Sequence, residues 1–490
     1  MSSNGHLSAM QIRKRLSHPI IDADGHWIEF GPTIREHLKR IGGERAVEGF
    51  SLFGTQVMNT LSMSVAERRE QRMAQEAFWA IPTKNTRDRA TAMLPRLLYE
   101  RMEELGLDFT ILYPSVGLGI ARIPDAETRQ VTCRAFNTFT AEHFRAFADR
   151  MTPAAVIPMH TPEEAIMELE YVTKQLGLKV VMLWSMIQRP IPAVARKHPE
   201  AGTIASWYDP LGLDSEYNYD PVWEKCHKLG VSPTFHTGSR GYGLRVSPSN
   251  FTYNHIGHFA VAHEAVCKAL YLGGVTRRFP KVKFGFLEGG VGWACQLYAD
   301  LIGHWEKRNL EALEEVNPKN LDRAALLQLA EQYGDAEIVN VLRQQSERKG
   351  TPSSGWMTAV GGIENLDDYA ACQIERKENL RDLFVDRFYF GCEADDPMNA
   401  WAFNRRGNPF GAQIHALFGS DIGHFDVPDM TDVVPEAYEL VEDGLISDAD
   451  FRDFTFANAV RFWGEANPNF FNGTAVEVAA AEVLNSQAPV

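Results

Sequence analysis

Eight short apolar segments separated by helical stretches constrain the fold of this chain more than any other feature. They are residues 19–26, 108–114, 153–160, 179–184, 230–236, 282–288, 388–392 and 416–421. Most are continuous apolar runs rather than strict alternations, which is typical of strands covered on both faces. Eight strands that alternate with helices predict a parallel sheet, and eight is the number that closes a (β/α)₈ barrel. An open doubly wound sheet is the alternative, but no G-x-G-x-x-G motif follows the first strand.

Two long stretches exceed what a minimal barrel needs, and both are predicted to be insertions in a single elaborated barrel domain. Residues 30–107 form a long charged connection, and residues 309–385 form a polar, helical connection between the sixth and seventh strands. Because loops that follow barrel strands lie on the catalytic face, both are candidate lids or interface elements. Residues 473–490 are predicted to be a loosely held tail.

The composition argues against several classes of function. A formal charge of −15 does not suit a nucleic-acid-binding protein, which needs clustered lysine and arginine. No run approaches the roughly 18 apolar residues of a membrane helix, and no signal peptide is recognisable at the N-terminus. Six scattered cysteines without C-x-x-C spacing indicate reduced thiols. We expect a cytoplasmic protein that acts on a small molecule and forms a homo-oligomer, with a hetero-oligomer also open.

Polar side chains stand where the predicted strands end. These side chains are Asp24 and His26 on the first strand, His160 on the third, His236 on the fifth, Glu288 on the sixth and Asp421 on the eighth. An apolar strand should not end in such a group without a reason, because unpaired burial is costly. The strand ends of a barrel converge on one pocket. Histidine and carboxylate donors there predict a site for a divalent ion such as zinc, manganese or iron.

The spacing of Asp24 and His26 supports this prediction, because residues i and i+2 of a strand point the same way. Taken alone, this spacing also fits a capping aspartate and a core histidine. Partners at His236 and Asp421 favour a metal ligand set. Asp421 is predicted to take a proton from bound water as well. Glu288 can bind a second ion, act as an acid or base, or accept backbone hydrogen bonds.

Several other polar residues have roles that the sequence leaves open. They are His160, His255, His258, His263 and His424. His424 and Asp426 closely follow Asp421, and we expect them to hydrogen-bond within the pocket. Trp184 is predicted to be a core residue.

Four motifs resemble the amidohydrolase superfamily, in the amidohydrolase-related branch that includes aminocarboxymuconate semialdehyde decarboxylase. They are Ile21-Asp-Ala-Asp-Gly-His26, Thr234-Phe-His-Thr-Gly238, Phe286-Leu-Glu-Gly-Gly290 and Gly419-Ser-Asp421. The resemblance covers roughly residues 18–305 and 385–472. It implies a barrel with a divalent ion, and it places the ligands at Asp24, His26, His236 and Asp421.

The chain departs from the family pattern at two of these motifs. The first strand of the family usually carries H-x-H, whereas Asp24 stands first here. The decarboxylases commonly have a histidine, which serves as proton donor or base, where this chain has Glu288. A carboxylate at that position could instead help to hold two ions, as in dinuclear branches of the superfamily.

The function expected from the sequence is a metal-dependent hydrolase that acts on a small carbonyl or carboxylate substrate. Zinc is the expected ion, with manganese or iron and one or two ions as alternatives. Asp421 and Glu288 are the expected catalytic residues. Three alternatives stay open, namely a nonoxidative decarboxylase, a dinuclear iron or manganese oxygenase, and a metal-binding partner subunit.

Overall fold

A computed structural model describes residues 7–76, 84–202, 204–238, 243–317, 320–347 and 366–486 of the chain. Parts of both predicted insertions, residues 77–83, 318–319 and 348–365, lie outside the described residues. The remainder contains a parallel sheet of eight strands surrounded by helices. The predicted (β/α)₈ barrel is confirmed.

The eight barrel strands coincide with the eight apolar segments of the sequence. They are β1 (Ile21–Trp27), β2 (Phe109–Pro114), β3 (Met151–Ile157), β4 (Val180–Leu183), β7 (Pro233–Phe235), β8 (Phe284–Phe286), β9 (Phe388–Glu393) and β10 (His415–Gly419). Neighbours in this order pair in parallel. Nearly every residue in these strands is buried, which explains why most of them are continuous apolar runs rather than alternations.

One small sheet was not predicted. β5 (Ile187–Pro190) and β6 (Ser206–Asp209) pair in antiparallel fashion in the connection that follows β4. Only alternate residues of β5 are buried, and Arg189 reaches inward to donate a hydrogen bond to Asp209 at 2.6 Å. These two strands are short and partly polar, so they lack the continuous apolar runs by which most of the barrel strands were predicted.

The helices up to the fifth barrel strand cover the barrel and fill the first insertion. They are α1 (Ala9–Arg15), α2 (Gly31–Ser62), α3 (Val65–Gln71), α4 (Thr86–Met93), α5 (Pro95–Leu105), α6 (Ala126–Phe144), α7 (Pro162–Lys174), α8 (Pro192–Ala195) and α9 (Asp220–Leu229). A short 3₁₀ helix, Gly117–Arg122, follows β2. The 32-residue α2 bends at Gly43, whose φ of 70° departs from helical geometry.

The remaining helices follow the later strands. They are α10 (Phe251–His255), α11 (His258–Leu272), α12 (Val275–Arg278), α13 (Gly292–Arg308), α14 (Arg323–Tyr333), α15 (Ala336–Glu347), α16 (Glu378–Phe384), α17 (Val433–Glu442), α18 (Asp448–Arg452), α19 (Asn458–Gly464) and α20 (Glu477–Asn485). The predicted loose tail contains α20, which buries Ala480 and Val483. Within the described part of that segment, Ala480 and Val483 join the hydrophobic core, whereas Val478 is exposed.

The barrel closes between its first and last strands. The Asp421 amide donates to the Asp24 carbonyl at 3.0 Å, and the His26 amide donates to the Ile422 carbonyl at 3.0 Å. Both bonds lie at the carboxyl end of the strands. They therefore fix the relative positions of the two chain segments that carry three of the predicted ligands.

A buried carboxylate, that of Asp22, reinforces this closure. It accepts hydrogen bonds from the Thr110 hydroxyl at 2.7 Å, the Ser420 amide at 2.9 Å and the Ser420 hydroxyl at 2.7 Å. The Asp24 amide donates a fourth bond at 3.2 Å. Gly25 permits this arrangement, because a Cβ there would lie 2.5 Å from the Asp22 carboxylate. Burial nevertheless raises the pKa of Asp22 to about 6.

We expect Asp22→Ala to lower the free energy of unfolding by about 3–5 kcal/mol, because four buried donors lose their acceptor. Thr110→Val is the matched control, since it removes one of these bonds and should cost about 1 kcal/mol. Urea denaturation at pH 7 measures both. Equal losses for the two variants would show that the carboxylate does not hold the strands together.

Candidate metal centre

The five predicted site residues lie close together at the carboxyl end of the barrel. Asp24 and His26 lie on β1, His236 directly follows β7, Glu288 follows β8 by two residues, and Asp421 follows β10 by two residues. All five are buried or nearly so, as the convergence of strand ends in a barrel predicts.

The donor atoms of these residues surround one small volume. The His236 Nε2 atom lies 3.3 Å from Asp24 Oδ1 and 3.4 Å from Glu288 Oε2. The His26 Nε2 atom lies 3.7 Å from Asp24 Oδ1 and 3.6 Å from Asp421 Oδ1. The two Nε2 atoms are 3.1 Å apart. Donors that bind one ion at about 2.1 Å lie roughly 3.0–3.5 Å from one another. The three distances from His236 Nε2 fall in this range, and the two from His26 Nε2 to the carboxylates are slightly longer.

The hydrogen bonding of Asp24 and the protonation state of His26 also suit the binding of a cation. Asp24 Oδ1 is buried and accepts no hydrogen bond from the described residues. Burial, followed by the neighbouring His424 and His236, holds the pKa of His26 well below its usual value. A neutral imidazole is the form that binds a metal. The donors fall into two groups that share His26, one formed with Asp24 and His236 and the other with Glu288, Asp421 and His424, and either group could hold an ion.

Two of the carboxylates occupy strained backbone positions. Glu288 has a φ of 57° and Asp421 a φ of 47°, in the left-handed region that residues with a Cβ rarely adopt. The amides on either side of Glu288 are fixed, because Leu287 donates to Phe235 and Gly290 donates to Gly391, both at 3.0 Å. Such conformations cost about 1–3 kcal/mol each and are concentrated at functional sites. Here they turn both carboxylates towards the imidazoles.

His424, whose role the sequence left open, lies at this centre. Its Nδ1 atom is 2.7 Å from Asp421 Oδ1, and its ring stacks on His26 with centroids 3.9 Å apart. Its Nε2 atom is 3.2 Å from the Ser115 hydroxyl. Burial lowers the pKa of His424 to about 4, so the ring is neutral near pH 7. The Asp-x-x-His spacing was its only signal in the sequence.

The other histidines take different places. His255 and His258 line the cavity beside the centre, with ring centroids 4.8 Å apart. His263 lies behind His236 and accepts a hydrogen bond from the Thr237 amide at 3.5 Å. His160 is not in any group of described donors close enough to share an ion. Among the five histidines whose roles the sequence did not assign, His424 is the one that belongs to a group of donors close enough to share an ion.

A cavity of about 260 Å³ adjoins the metal donors. One part of its wall is polar and includes His236, Glu288, His424, Asp426, His255, His258, Thr237, Ser115 and Glu76. The rest is largely apolar and includes Val57, Val116, Leu118, Trp184, Phe259 and Phe425. Trp184, predicted to be a core residue, thus also borders the cavity. Arg122 is the one arginine or lysine among the described residues that line it.

A larger surface cleft of about 730 Å³ lies elsewhere, between Trp401 and Ile446. None of the five predicted ligands lines this cleft. Of these two, the smaller cavity is therefore the substrate-site candidate, because it is the one that borders the donor atoms.

Part of the chain matches a known protein family. Residues 114–315 match the model of the Amidohydro_2 family, described as amidohydrolase. The predicted resemblance to the amidohydrolases is confirmed. No curated protein matches the sequence.

One solved structure shares the fold, and two others are similar to the chain with lower scores. An amidohydrolase from Mycobacterium avium subsp. paratuberculosis K-10 is 16% identical, covers 92% of this chain and 100% of its own, and has a TM-score of 0.51. A dihydroxybenzoic acid decarboxylase from Polaromonas sp. JS666, with bound manganese, is 16% identical over 93% and 99% of the two chains, with a TM-score of 0.48. 5-Carboxyvanillate decarboxylase from Sphingomonas paucimobilis is 14% identical over 91% and 99%, with a TM-score of 0.47.

Among the described residues, no helix has the length and apolar character that crossing a membrane requires.

We expect the purified protein to bind one divalent ion per chain. Asp24→Ala and His236→Ala should each weaken binding by more than about 100-fold, because each removes a donor. His160→Ala is the control, since it also removes a histidine that follows a strand but lies outside the donor group. Elemental analysis after dialysis measures the ion content. Full metal retention in both donor variants would refute this centre.

Proposed function

We propose that the protein is a metal-dependent enzyme that removes carbon dioxide from a small, planar carboxylic acid without an oxidant. The supporting observation is the composition of the cavity, which has metal donors in one part of its wall and apolar side chains in another. The sequence alone favoured a hydrolase, whereas the composition of the cavity favours the decarboxylase alternative.

The apolar side chains suit a flat, unsaturated substrate. Phe259, Phe425 and Trp184 contribute aromatic surface, and Val116 and Leu118 contribute aliphatic surface. A volume of about 260 Å³ suits a molecule the size of a substituted benzoic acid. Apolar surroundings also favour the reaction itself, because a carboxylate there loses hydration that neutral carbon dioxide does not need.

Arg122 provides the charge that an acidic substrate requires. The carboxylates of Glu76, Glu288 and Asp426 line the same cavity and would repel an anion. The Arg122 guanidinium lies with its Cζ atom 5.4 Å from the centroid of the Trp184 ring. A guanidinium held beside an aromatic ring can donate two hydrogen bonds to a carboxylate or phenolate oxygen.

A divalent ion bound by the donor set would attract the carboxylate and an adjacent oxygen and accept electron density from the breaking bond. The donors also suit more than one metal, and the preference for zinc stays a prediction. The protein must then supply a proton to the carbon that loses carbon dioxide. Asp421 and His424, 2.7 Å apart, are the leading pair for this step, and Glu288 is the second candidate.

Hydrolysis of a small ester or lactone is the second candidate function. Glu288 favours it, because the related decarboxylases commonly have a histidine at that place. The Asp421 and His424 pair could equally take a proton from a water molecule. Both functions use the same centre but leave different products.

A substrate panel distinguishes the two functions. We expect manganese- or zinc-loaded protein to release ¹³CO₂ from carboxyl-labelled hydroxybenzoic acids, measured by mass spectrometry. Asp421→Asn should lower kcat by about 10²–10⁴-fold. Asp220→Asn is the control, because that aspartate pairs with Arg278 in an exposed ion pair. Cleavage of aryl esters or lactones with no release of ¹³CO₂ would establish hydrolysis instead, and two bound iron ions would favour oxygen chemistry.

A second prediction concerns the recognition of the acid. Arg122→Met should raise KM about 100-fold, because charge-assisted hydrogen bonds contribute about 1.5–3 kcal/mol. Arg122→Lys should raise it less, since the charge remains but the planar fork is lost. Steady-state kinetics with the best acid of the panel measures both. An unchanged KM for Arg122→Met would exclude Arg122 from substrate binding.

A further inference from the structure

Glu29 is a buried carboxylate that belongs neither to the donor set nor to the cavity lining. It follows β1 by two residues and is 6% exposed. Its Oε1 atom accepts a hydrogen bond from the Gly117 amide at 2.7 Å. Its Oε2 atom accepts one from the Val116 amide at 2.9 Å. The side chain thus connects the strand that carries Asp24 and His26 to the segment that follows β2.

That segment forms one wall of the substrate cavity. Of residues 116–122, which we call the cavity wall, Val116, Leu118, Gly119 and Arg122 line the cavity. The amides at the start of a helix have no partner within the helix. Glu29 accepts from two of them at once, so its carboxylate holds the first turn of the 3₁₀ helix that ends at Arg122.

The surroundings restrict where this first turn can lie. A Cβ at Gly117 would be 2.4 Å from Phe136 Cζ and 2.7 Å from Pro114 Cβ, so the backbone packs directly against α6. On the other side, the Ser115 hydroxyl donates to the Trp27 carbonyl at 3.0 Å. The turn therefore lies between α6 and the end of β1, and Glu29 provides its polar attachment.

The carboxylate suits two adjacent N–H donors better than an amide does. A glutamine offers one acceptor oxygen and places its own NH₂ group against the second N–H. Burial raises the pKa of Glu29 to about 7, although the Val116 and Gly117 amides act to lower it. Burial of this carboxylate is unfavourable in itself, and its hydrogen bonds to backbone amides offset part of that cost.

We propose that Glu29 is a positioning residue that fixes the cavity wall relative to the metal ligands on β1. It acts on substrate binding through the placement of Val116, Leu118 and Arg122, without contacting the ion or the substrate. This inference rests on the proposed function in one respect, namely that the cavity is the substrate site.

The test compares Glu29→Gln with Glu168→Gln. Glu168 is also a buried carboxylate, but it accepts hydrogen bonds from Asn137 and Arg134, and it does not line the cavity. Benzoate, titrated into manganese-loaded protein by calorimetry, is the probe. Glu29→Gln should weaken benzoate binding about tenfold, the equivalent of one lost hydrogen bond, while the manganese content stays at the wild-type value. Glu168→Gln should leave benzoate affinity unchanged.

Two further measurements separate positioning from a general loss of structure. Hydrogen exchange of peptides spanning residues 115–123 should be faster in Glu29→Gln, with exchange elsewhere in the barrel unchanged. With a turnover substrate, KM should rise about tenfold and kcat should change less than about twofold. Unchanged benzoate affinity in Glu29→Gln, or loss of manganese together with affinity, would overturn the proposal.

Failure of the proposed function gives a different result. If wild-type protein binds no benzoate and releases no carbon dioxide, the assignment of the cavity to acid binding is wrong. The hydrogen-exchange comparison then decides the role of Glu29 alone. Equal exchange of residues 115–123 in the wild type and in Glu29→Gln would overturn it.

Discussion

Two backbone hydrogen bonds between the first and last strands hold the metal donors in place and close the barrel. They join the Asp421 amide to the Asp24 carbonyl and the His26 amide to the Ile422 carbonyl. The buried Asp22 carboxylate adds bonds from Ser420 to the same junction. The predicted donors His26 and Asp421, about 400 residues apart in sequence, are thereby brought within 4 Å of one another. The geometry of the centre is a consequence of barrel closure rather than of any local motif.

Most of the fold was predictable because burial on both faces leaves a strong signal in the sequence. Most of the barrel strands are continuous apolar runs, and the predicted donors were recognisable as polar groups at the strand ends. The small β5–β6 sheet was missed because its residues alternate between buried and exposed positions. The helix α20 was missed because its apolar residues lie on both its buried and its exposed sides, so they give no helical periodicity.

The substrate cavity was less predictable than the metal centre. Arg122 follows β2 by eight residues, in a segment whose sequence resembles an ordinary connection. Its position beside Trp184 depends on how the segments that follow β2 and β4 pack together. Glu29 carries no sequence signal either, because its partners are backbone amides, which every residue but proline possesses. Residues that bind a metal are recognised by their chemical type, whereas residues that shape a cavity are recognised only after folding.

The cavity combines two electrostatic requirements that oppose each other. The carboxylates that attract a cation also repel an acidic substrate. Burial raises the pKa of Asp421, and the neighbouring carboxylates of Glu288 and Asp426 raise it further. A bound cation would offset the repulsion at one end of the cavity, and Arg122 would offset it at another.

The left-handed backbone at Glu288 and Asp421 has an evolutionary consequence. Glycine adopts this conformation more readily than either residue, and asparagine does so more readily than glutamate, so such a replacement would relieve strain while removing a carboxylate. A gene copy released from selection for catalysis would therefore gain stability at both positions as it lost its ion. Paired glycine or asparagine at these two sites would mark descendants that have kept the barrel as a scaffold and abandoned its chemistry.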